Sequence, residues 1–335
     1  LVTFLSGHTL LILLWFGGTA LLEGAISPGD FVATLGYLQM LIWPMLGAGF
    51  TVNMMQRGAA SLGRINEILN TPPGIVSIPG GRRTAPRGSI TVRNLTYTFP
   101  DQAQPTLRDL SFDLPRGHVL GILGRTGSGK STLIRILPRF LDPPENSVFL
   151  EGTEVGAYEL NTLRSAFGVV SQDTFLFSAT ILDNILFARP DLPREQAIRA
   201  GTLAALDTDI GDFPAGWDTV VGERGITLSG GQRQRIAIAR ALLPDPEILI
   251  LDDALSAVDT RTEERILTAV LRERENRTTL VISNRVSTLK HAGEILVMED
   301  GRVAQRGDHE SLASRPGFYH DIFRLQQLEE IRERT

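Results

Sequence analysis

The chain has 335 residues, of which 42% are hydrophobic and 21% are charged, and its formal net charge at pH 7 is −5. This length allows two domains, and the acidic balance argues against nucleic acid as the main partner, because contact with a phosphate backbone requires an excess of Lys and Arg. The chain contains no cysteine, which excludes disulfides, zinc–thiolate sites and thiol catalysis.

Two apolar runs without a formally charged side chain, residues 1–22 and 31–56, dominate the N-terminal part of the sequence. About 20 helical residues cross the hydrocarbon core of a bilayer, so each run is long enough for a membrane helix. The segment Glu23–Asp30 between the runs is predicted to be a short turn. Because Arg57 and Arg64 follow the second run, the positive-inside rule puts this turn outside and everything after the second run in the cytoplasm. The alternative is a pair of buried helices in a soluble core.

The helical pattern continues beyond the second run, because residues 59–69 keep apolar side chains at helical spacing. The segment Thr71–Gly74, with two prolines and a glycine, predicts the end of this helix. We therefore expect residues 1–70 to be the C-terminal part of a transmembrane domain with a cytoplasmic extension, and residues 71–88 to be a linker. The sequence starts inside an apolar run and without Met, so we also expect it to be the C-terminal part of a longer polypeptide.

From Ser89 onward the chain has the pattern of a soluble, mixed α/β domain. Short apolar runs alternate with several helical patterns, as in nucleotide-binding cores with helices packed on a sheet. The predicted strands are Ser89–Val92, His118–Leu123, Ser147–Leu150, Ala166–Val170, Glu247–Leu251, Thr278–Ser283 and Glu294–Met298.

The strongest motif is the run G-R-T-G-S-G-K-S-T, which matches the phosphate-binding pattern G-x-x-x-x-G-K-[S/T] and lies between a strand-like and a helical run. Its glycines allow backbone N–H groups to point at a phosphate, and the helix N-terminus adds a positive dipole. Lys130 can reach the β- and γ-phosphates, and the Ser131 hydroxyl can bind Mg²⁺. The predicted nucleotide-binding residues of this loop are Gly124, Arg125, Thr126, Gly127, Ser128, Gly129, Lys130, Ser131 and Thr132.

The apolar run Ile248–Leu251 is followed by Asp252, which indicates a buried strand that ends in a carboxylate. In a P-loop ATPase such a carboxylate supports Mg²⁺ at the carboxyl edge of the sheet. Acidic residues end strands in many α/β folds, so this motif alone is weak evidence. It becomes strong evidence because the phosphate-binding loop lies on the same chain. Together the two motifs predict a site for ATP and Mg²⁺.

The run Leu228–Arg235, L-S-G-G-Q-R-Q-R, stands directly before a helical pattern. With this motif the chain resembles the ABC transporter family, whose signature is LSGGQ. A serine and glycines at a helix N-terminus form an anion site, but this one lies too far along the chain to duplicate the phosphate-binding loop. The resemblance implies that two ATPase domains pair head to tail, so that each signature covers the ATP held by the opposite domain. The signature residues here are Ser229, Gly230, Gly231 and Gln232.

Further motifs of the family follow in the expected order. Phe99 matches the aromatic residue that stacks on adenine, although Tyr97 and Phe99 are alternatively ordinary strand aromatics. Gln172 matches the glutamine that bridges Mg²⁺ and the contact with the membrane domain. The segment Ser256–Asp259 stands where the D-loop of the family belongs.

The resemblance covers residues 89–326 and implies an ABC ATPase domain with a helical subdomain at about 173–243, followed by a tail at 327–335. The segments 177–185 and 221–225 are similar to those of exporters. The resemblance is therefore to a bacterial multidrug or lipid exporter half-transporter, with α-helical transmembrane segments followed by an α/β P-loop ATPase. It implies ATP and Mg²⁺ as cofactors, a second half-transporter as partner, and a lipid or hydrophobic small molecule as substrate. It also implies a multi-pass protein of the cytoplasmic membrane, with the ATPase in the cytoplasm.

Two residues depart from the family pattern. The residue after Asp252 is normally Glu, which polarises the attacking water, and here it is Asp253; the switch histidine is replaced by Asn284. An Asp carboxylate is one methylene shorter than that of Glu, and a misplacement on the order of 1 Å can cost about 10²-fold in rate. Asn284 can donate a hydrogen bond to a γ-phosphate, but it carries neither a charge nor a titratable proton.

Both changes affect the ATP site built on this chain's own phosphate-binding loop, whereas the signature is intact. The resemblance implies that the catalytic residues of this site are Lys130, Gln172, Asp253 and Asn284. We expect slow hydrolysis there, in a heterodimer whose partner carries Glu and His at these positions. A homodimer is the alternative.

Two other functions compete with an exporter. A regulatory ATP-binding module, which gates a membrane protein with little hydrolysis, fits the altered site, but the intact signature favours a transporter. A soluble ABC protein that acts on DNA or ribosomes is disfavoured by the apolar runs and the acidic balance. The sequence leaves the transported substrate open.

Overall fold

The computed structural model describes residues 2–222 and 228–333 of the chain. The chain divides into two compact units, one ending at Gly74 and the other beginning at Ile75. The first unit is helical, and the second combines two β-sheets with helices.

The first unit consists of an apolar helical stretch and one long helix. Helix α1 (Val2–Ile12), a π-helical turn (Leu13–Gly17) and helix α2 (Gly18–Leu22) follow one another directly. Helix α3 (Pro28–Asn70) has 43 residues and, within the described residues, is the one helix long and apolar enough to cross a membrane. It is about 65 Å long, or roughly twice the thickness of a hydrocarbon core. The first apolar run forms a shorter helical stretch, so a membrane span formed by this first run stays a prediction.

The turn between these helices is shorter than predicted. The Ser27 side chain accepts a hydrogen bond from the N–H of Asp30, and the Asp30 carboxylate accepts one from the N–H of Ser27. This capping box starts α3 at Pro28, whose missing N–H is unneeded at the first helical position. The prediction that Pro28–Asp30 belong to the turn was therefore wrong. The predicted end of the helix is confirmed, because α3 stops at Asn70.

The strands of the second unit form two sheets. They are β1 (Ile90–Tyr97), β2 (Leu107–Leu114), β3 (Val119–Gly124), β4 (Val148–Leu150), β5 (Thr153–Glu154), β6 (Phe167–Val170), β7 (Ile248–Asp252), β8 (Thr278–Ile282), β9 (Glu294–Glu299) and β10 (Arg302–Gly307). The smaller sheet is antiparallel, with the order β2-β1-β4-β5. The larger sheet has the order β10-β9-β3-β8-β7-β6 and is parallel except for β10.

Nine helices of the described residues accompany the sheets. They are α4 (Lys130–Ile136), α5 (Leu160–Ser165), α6 (Ile181–Leu186), α7 (Arg194–Leu203), α8 (Gly230–Leu242), α9 (Thr260–Glu273), α10 (Val286–Leu289), α11 (His309–Ser314) and α12 (Phe318–Glu333). Short 3₁₀ turns lie at Val155–Ala157, Leu206–Thr208, Ile210–Asp212 and Gly216–Asp218.

The larger sheet is buried on both faces, because alternate residues of its strands join two different apolar clusters. In β8, Leu280 packs with β1, β2 and α4, whereas the next residue, Val281, packs with α8 and α9. Buried strands of this kind read as continuous apolar runs. The larger sheet therefore lies between the two apolar clusters of the second unit.

All seven predicted strands are present, although β1 extends to Tyr97. Three strands were not predicted. In β2, a left-handed residue at Asp109 (φ 52°) interrupts the alternation of buried and exposed side chains. The strand β5 has only two residues, and β10 is an edge strand without a buried residue.

Most of the predicted linker belongs to the second unit, which begins at Ile75. The N–H of Arg82 donates to the carbonyl of Ala157 at 2.9 Å, and the N–H of Glu159 donates to the carbonyl of Arg82 at 3.1 Å. The Arg82 guanidinium also lies 5.5 Å from the ring centre of Tyr158. Arg82 is thus held by protein through both its backbone and its side chain.

Candidate ATP-binding site

The phosphate-binding loop connects β3 to α4 and bends through glycines. Gly127 and Gly129 have left-handed φ angles of 84° and 99°, which residues with a Cβ rarely adopt. A Cβ on Gly129 would lie 2.6 Å from Leu107 Cδ2, and one on Gly124 would lie 2.5 Å from the carbonyl oxygen of Met298. The loop therefore requires glycine at these positions.

The start of α4 is arranged to bind an anion. Gly129 precedes the helix and has no side chain to cap it, so the N–H groups of the first turn lack a side-chain acceptor from that position. Lys130 lies over the same loop, where its Nζ donates to the carbonyl oxygens of Gly124 at 2.5 Å and Arg125 at 3.0 Å. Phosphate oxygens are stronger acceptors than these carbonyls, because they are charged.

Two adjacent carboxylates stand at the carboxyl end of β7. Burial raises the pKa of Asp252, the neighbouring Asp253 raises it further, and Lys130 lowers it. Burial also raises the pKa of Asp253, and Arg285 and Lys130 oppose this shift. Burial lowers the pKa of Lys130, against the attraction of both carboxylates. The carboxylates are thus incompletely compensated by their neighbours, which favours a bound cation beside them.

The backbone of Asp253 is held in an unusual conformation. Its φ angle is 49°, in the left-handed region that few residues with a Cβ adopt. Its N–H donates to the carbonyl of Ile282 in β8 at 2.9 Å, and its own carbonyl accepts from Ser256 Oγ at 2.8 Å. These contacts fix the point from which the carboxylate projects.

One cavity of about 240 Å³ collects side chains from several segments of the chain. Gln172 follows β6, Asp252 ends β7 and Asn284 follows β8, and the carboxyl ends of parallel strands share one edge of the sheet. The sequence did not predict three of the lining residues, Thr106, Ile282 and Ser283. The lining residues are Thr106, Thr126, Gly127, Gly129, Lys130, Ser131, Thr132, Gln172, Asp252, Asp253, Ile282, Ser283 and Asn284.

Three predicted loop residues, Gly124, Arg125 and Ser128, are absent from this lining. The Arg125 guanidinium lies 5.0 Å from the ring centre of Phe318. The Ser128 hydroxyl is buried and has no hydrogen-bond partner within the described part of the chain. The structure therefore does not bring these three predicted residues into the cavity.

The predicted adenine-stacking residue, Phe99, follows the end of β1 and lies outside the cavity lining. The ring of Phe99 packs edge to face on Tyr97, with ring centres 5.2 Å apart. The N–H of Thr106, which lines the cavity, donates to the carbonyl of Tyr97 at 2.8 Å. Phe99 therefore belongs to the hairpin that reaches the cavity, and its contact with adenine stays a prediction.

The signature residues do not line this cavity. Ser229 caps α8: its side chain accepts from the N–H of Gln232 at 3.2 Å, and the Gln232 side chain accepts from the N–H of Ser229 at 3.0 Å. A Cβ on Gly231 would lie 2.9 Å from the carbonyl oxygen of Ala257. Gly230 is equally close-packed, because its Cβ would lie 3.1 Å from Ala257 Cβ. The signature thus forms a rigid turn on the D-loop.

The segment 221–225, predicted to be exporter-like, lies in part outside the described residues. Its first residue, Val221, is buried, and its N–H donates to the carbonyl of Ala179 at 2.9 Å. The exporter-like segment 177–185 forms the capped start of α6, where Thr180 accepts from the N–H of Asp183. Its Asn184 is buried and bonds to the backbone of Phe177.

Arg285, which the sequence reasoning missed, connects the segment after β8 to the D-loop. Its guanidinium donates to the carbonyls of Ser256 at 2.8 Å and Val258 at 2.9 Å. It also pairs at 2.7 Å with Glu263, whose side chain is only 2% exposed. The sequence shows a charged residue directly after Asn284, but only the fold shows which groups this residue binds.

Mg²⁺ fits the residues that the sequence assigned to it. The set of Ser131, Gln172 and Asp252 supplies a hydroxyl, an amide oxygen and a carboxylate to one cavity, and hard oxygen ligands of this kind suit Mg²⁺. The raised pKa of Asp252 reflects a buried negative charge, which a divalent cation would stabilise. Within the described residues, no group of three or more His, Cys, Asp or Glu side chains could hold a metal ion.

Comparison with known proteins gives consistent matches. The profile of the ABC transporter family matches residues 107–256. The chain is 40% identical over 327 residues to the "Probable multidrug resistance ABC transporter ATP-binding/permease protein YheI" of Bacillus subtilis, covering 98% of this chain and 56% of that protein. It is 42% identical over 317 residues to the "Multidrug resistance-like ATP-binding protein MdlA" of Escherichia coli, covering 93% of this chain and 53% of that protein.

The chain is also 39% identical to the "ATP-dependent lipid A-core flippase" of Photobacterium profundum, covering 96% of this chain and 55% of the flippase. Among solved structures, it is similar to a bacterial Atm1-family ABC exporter with ATP bound, with a TM-score of 0.79 and 34% identity over 97% of this chain and 57% of that one. The chain thus spans about half the length of the proteins it matches.

Proposed function

This chain belongs to the ABC transporter family, and we propose that it is an ATP-binding and ATP-hydrolysing subunit of an exporter. The observation that carries the proposal is the single cavity in which the phosphate-binding loop meets Gln172, Asp252 and Asn284. Helix α3 supports a location in a membrane, and Arg57 and Arg64 after its apolar run support the ATPase on the cytoplasmic side. The names of the similar proteins support a hydrophobic molecule or a lipid as substrate.

ATP binding uses residues that the cavity brings together. We infer that Lys130 and the N–H groups of the loop hold the β- and γ-phosphates, and that Phe99 stacks on adenine. Ser131, Gln172 and Asp252 are the residues that would hold Mg²⁺, which neutralises phosphate charge when bound. Bound Mg²⁺ would then compensate the negative charge of the two carboxylates, and the phosphates would compensate the positive charge of the ammonium group.

Hydrolysis at this site falls to Asp253 and Asn284. Asp253 orients the attacking water and accepts its proton, and Asn284 donates a hydrogen bond to the γ-phosphate. The shorter side chain of Asp253 projects from a backbone that its neighbours hold fixed, so the backbone does not compensate for the missing methylene. We propose that this site turns over slowly.

The signature supports a second half-transporter as partner. Ser229 is absent from the lining of this chain's own cavity, which fits a role at the ATP of an opposite subunit. Its oxygen accepts a hydrogen bond from Gln232, so its own O–H proton is free to be donated to a phosphate. We propose a heterodimer in which Ser229 completes the active site on a partner with Glu and His.

The test restores the two family residues. We expect slow ATP turnover by the purified full-length subunit alone, and an increase of about tenfold or more in the Asp253→Glu/Asn284→His variant, because the base regains its reach. Adding Lys130→Ala to that variant should remove the gain, which assigns it to this site. Fast turnover by the unchanged subunit alone, lost on Lys130→Ala, would refute the slow site.

Asp253 and Asn284 also favour a second function, a regulatory module in which ATP gates a membrane protein with little hydrolysis. The two functions differ in whether ATP drives the movement of a substrate across the membrane. ATP-dependent movement of a lipid or dye across vesicles that contain the intact complex supports the exporter. ATP-dependent conductance without such movement supports the regulatory module.

A further inference from the structure

The C-terminal helix α12 contacts two of the segments that contribute residues to the candidate ATP site. Near its start, the Phe318 ring lies against Arg125 of the phosphate-binding loop. Further along, Gln326 makes two hydrogen bonds to the segment after β8. Its Nε2 donates to the carbonyl of Asn284 at 2.8 Å, and its Oε1 accepts from the N–H of Val286 at 2.8 Å. One side chain thus bridges both ends of the segment 284–286.

The part of α12 before Gln326 is firmly anchored. Tyr319 is fully buried, and its hydroxyl hydrogen-bonds with His309 Nδ1 at 2.8 Å. The N–H of Tyr319 donates to the side chain of Gln305 at 3.2 Å. Phe323 packs on the same apolar cluster as β7 and β8. Gln326 therefore projects from a helix that other contacts hold in place. Because of this, its two hydrogen bonds restrain the segment 284–286.

We propose that Gln326 is a positioning residue for Asn284. The bridged segment carries Asn284, which lines the cavity, and Arg285, which binds the D-loop carbonyls. Without the bridge, the segment keeps the Arg285 contacts and the buried Val286 side chain. The backbone carbonyl of Asn284 loses its donor, however, so the Asn284 side chain is held less firmly at the cavity where the γ-phosphate would bind. The last part of this argument rests on the proposed function, because it requires ATP in the cavity.

The experiment uses the intact membrane protein with the variant Gln326→Met. Methionine has nearly the same length and helix propensity as glutamine, but it makes neither hydrogen bond. The matched control is Gln327→Met, one position along the same helix, where the side chain is exposed and has no hydrogen bond within the described residues. Should Gln326→Met fail to fold, Gln326→Glu replaces it, because a carboxylate accepts from Val286 but cannot donate to Asn284.

Hydrogen exchange tests the bridge without nucleotide. We expect exchange at the amide of Val286 to rise about tenfold in Gln326→Met, because that N–H loses its acceptor, and to stay unchanged in Gln327→Met. For Gln326→Glu the readout is nucleotide binding, since its acceptor remains. Unchanged exchange at Val286 in a folded Gln326→Met protein would overturn the proposal.

Nucleotide binding tests the positioning. Asn284 faces the γ-phosphate in the proposed site, so we expect Gln326→Met to weaken photolabelling of this chain by 8-azido-ATP about fivefold and to leave labelling by 8-azido-ADP unchanged. A purely structural role would weaken both. Asn284→Ala should cause the same selective loss, and the double variant should lose little more, because the two residues act as one unit.

The outcomes separate this proposal from the proposed function. If Asn284→Ala weakens ATP labelling selectively and Gln326→Met does not, the positioning role is refuted. If Asn284→Ala has no effect, the assigned role of Asn284 fails, and the exchange at Val286 alone decides whether Gln326 holds the segment. Absence of ATP labelling in the Gln327→Met control would refute the ATP site itself.

Discussion

Two helices of the ATPase unit begin at glycine-rich turns that carry family motifs, and their N-termini are satisfied in different ways. Helix α4 follows Gly129 and has no side-chain cap, so the first turn is left open to an anion. Helix α8 follows Ser229, which forms a complete capping box with Gln232. The first turn lies in the cavity and the second does not. The first turn of α4 is open to an anion, whereas the first turn of α8 is capped by side chains of this chain and presents the Ser229 hydroxyl.

The two residues that depart from the family pattern lie at only one of these two helix starts. Asp253 and Asn284 both line the cavity of the uncapped helix, whereas the signature turn matches the family pattern. This contrast supports a division of labour, in which the chain binds ATP at one turn and serves a partner's ATP at the other. Variants at each turn can separate the two roles.

The largest effect is expected at the uncapped turn. Lys130→Met removes the charge proposed to bind the β- and γ-phosphates, and we expect 8-azido-ATP labelling of this chain to weaken by about 100-fold. Labelling of the partner subunit should change little. Equal losses on both subunits would contradict the assignment of this loop to this chain's own ATP.

An effect of similar size is expected at the signature turn. Ser229→Ala removes the hydroxyl proposed to donate to the partner's ATP, and we expect ATP turnover of the proposed heterodimer to fall by roughly 10²-fold. The same change removes a helix cap worth about 1 kcal/mol, so the control is Asp308→Ala, which uncaps α11 instead. The control should lose stability but keep turnover. Equal losses of turnover in both variants would show that Ser229 only caps its helix.

The smallest effect concerns stability at Asp253. Because burial raises the pKa of Asp253 in the folded state above its ordinary value, the folded chain binds this proton more tightly than the unfolded chain. The charged side chain therefore costs stability above its folded pKa, and this cost disappears as the pH falls below the unfolded value. We expect Asp253→Asn to raise the Tm by a few degrees at pH 7 and to have no such effect near pH 3.

Asp300→Asn is the control for this prediction. Asp300 is exposed and also left-handed, with a φ of 46°, and Asn tolerates this conformation at least as well as Asp. An equal rise of the Tm in both variants would assign the gain to the backbone rather than to the buried charge. In the heterodimer, Asp253→Asn should leave ATP turnover nearly unchanged, unlike Ser229→Ala.

Local motifs were the features best predicted from the sequence. The strand before the phosphate-binding loop and the strand that ends in Asp252 lie where the apolar runs predicted them. Strand β2 was missed, because the left-handed Asp109 breaks its alternation. Thr106 was not predicted to line the cavity, because it reaches the cavity through the hairpin between β1 and the missed strand β2.

The sequence by itself determined that this chain has a phosphate-binding loop, a signature turn and a long apolar helix, because each is written in consecutive residues. Only the tertiary structure decided which distant residues share one cavity. The strand order β3-β8-β7-β6 puts the ends of four strands on one edge, where Lys130, Gln172, Asp252 and Asn284 meet. The packing of α12 likewise decided that Gln326 holds Asn284, since a hydrogen bond across 42 positions has no periodic trace in the sequence.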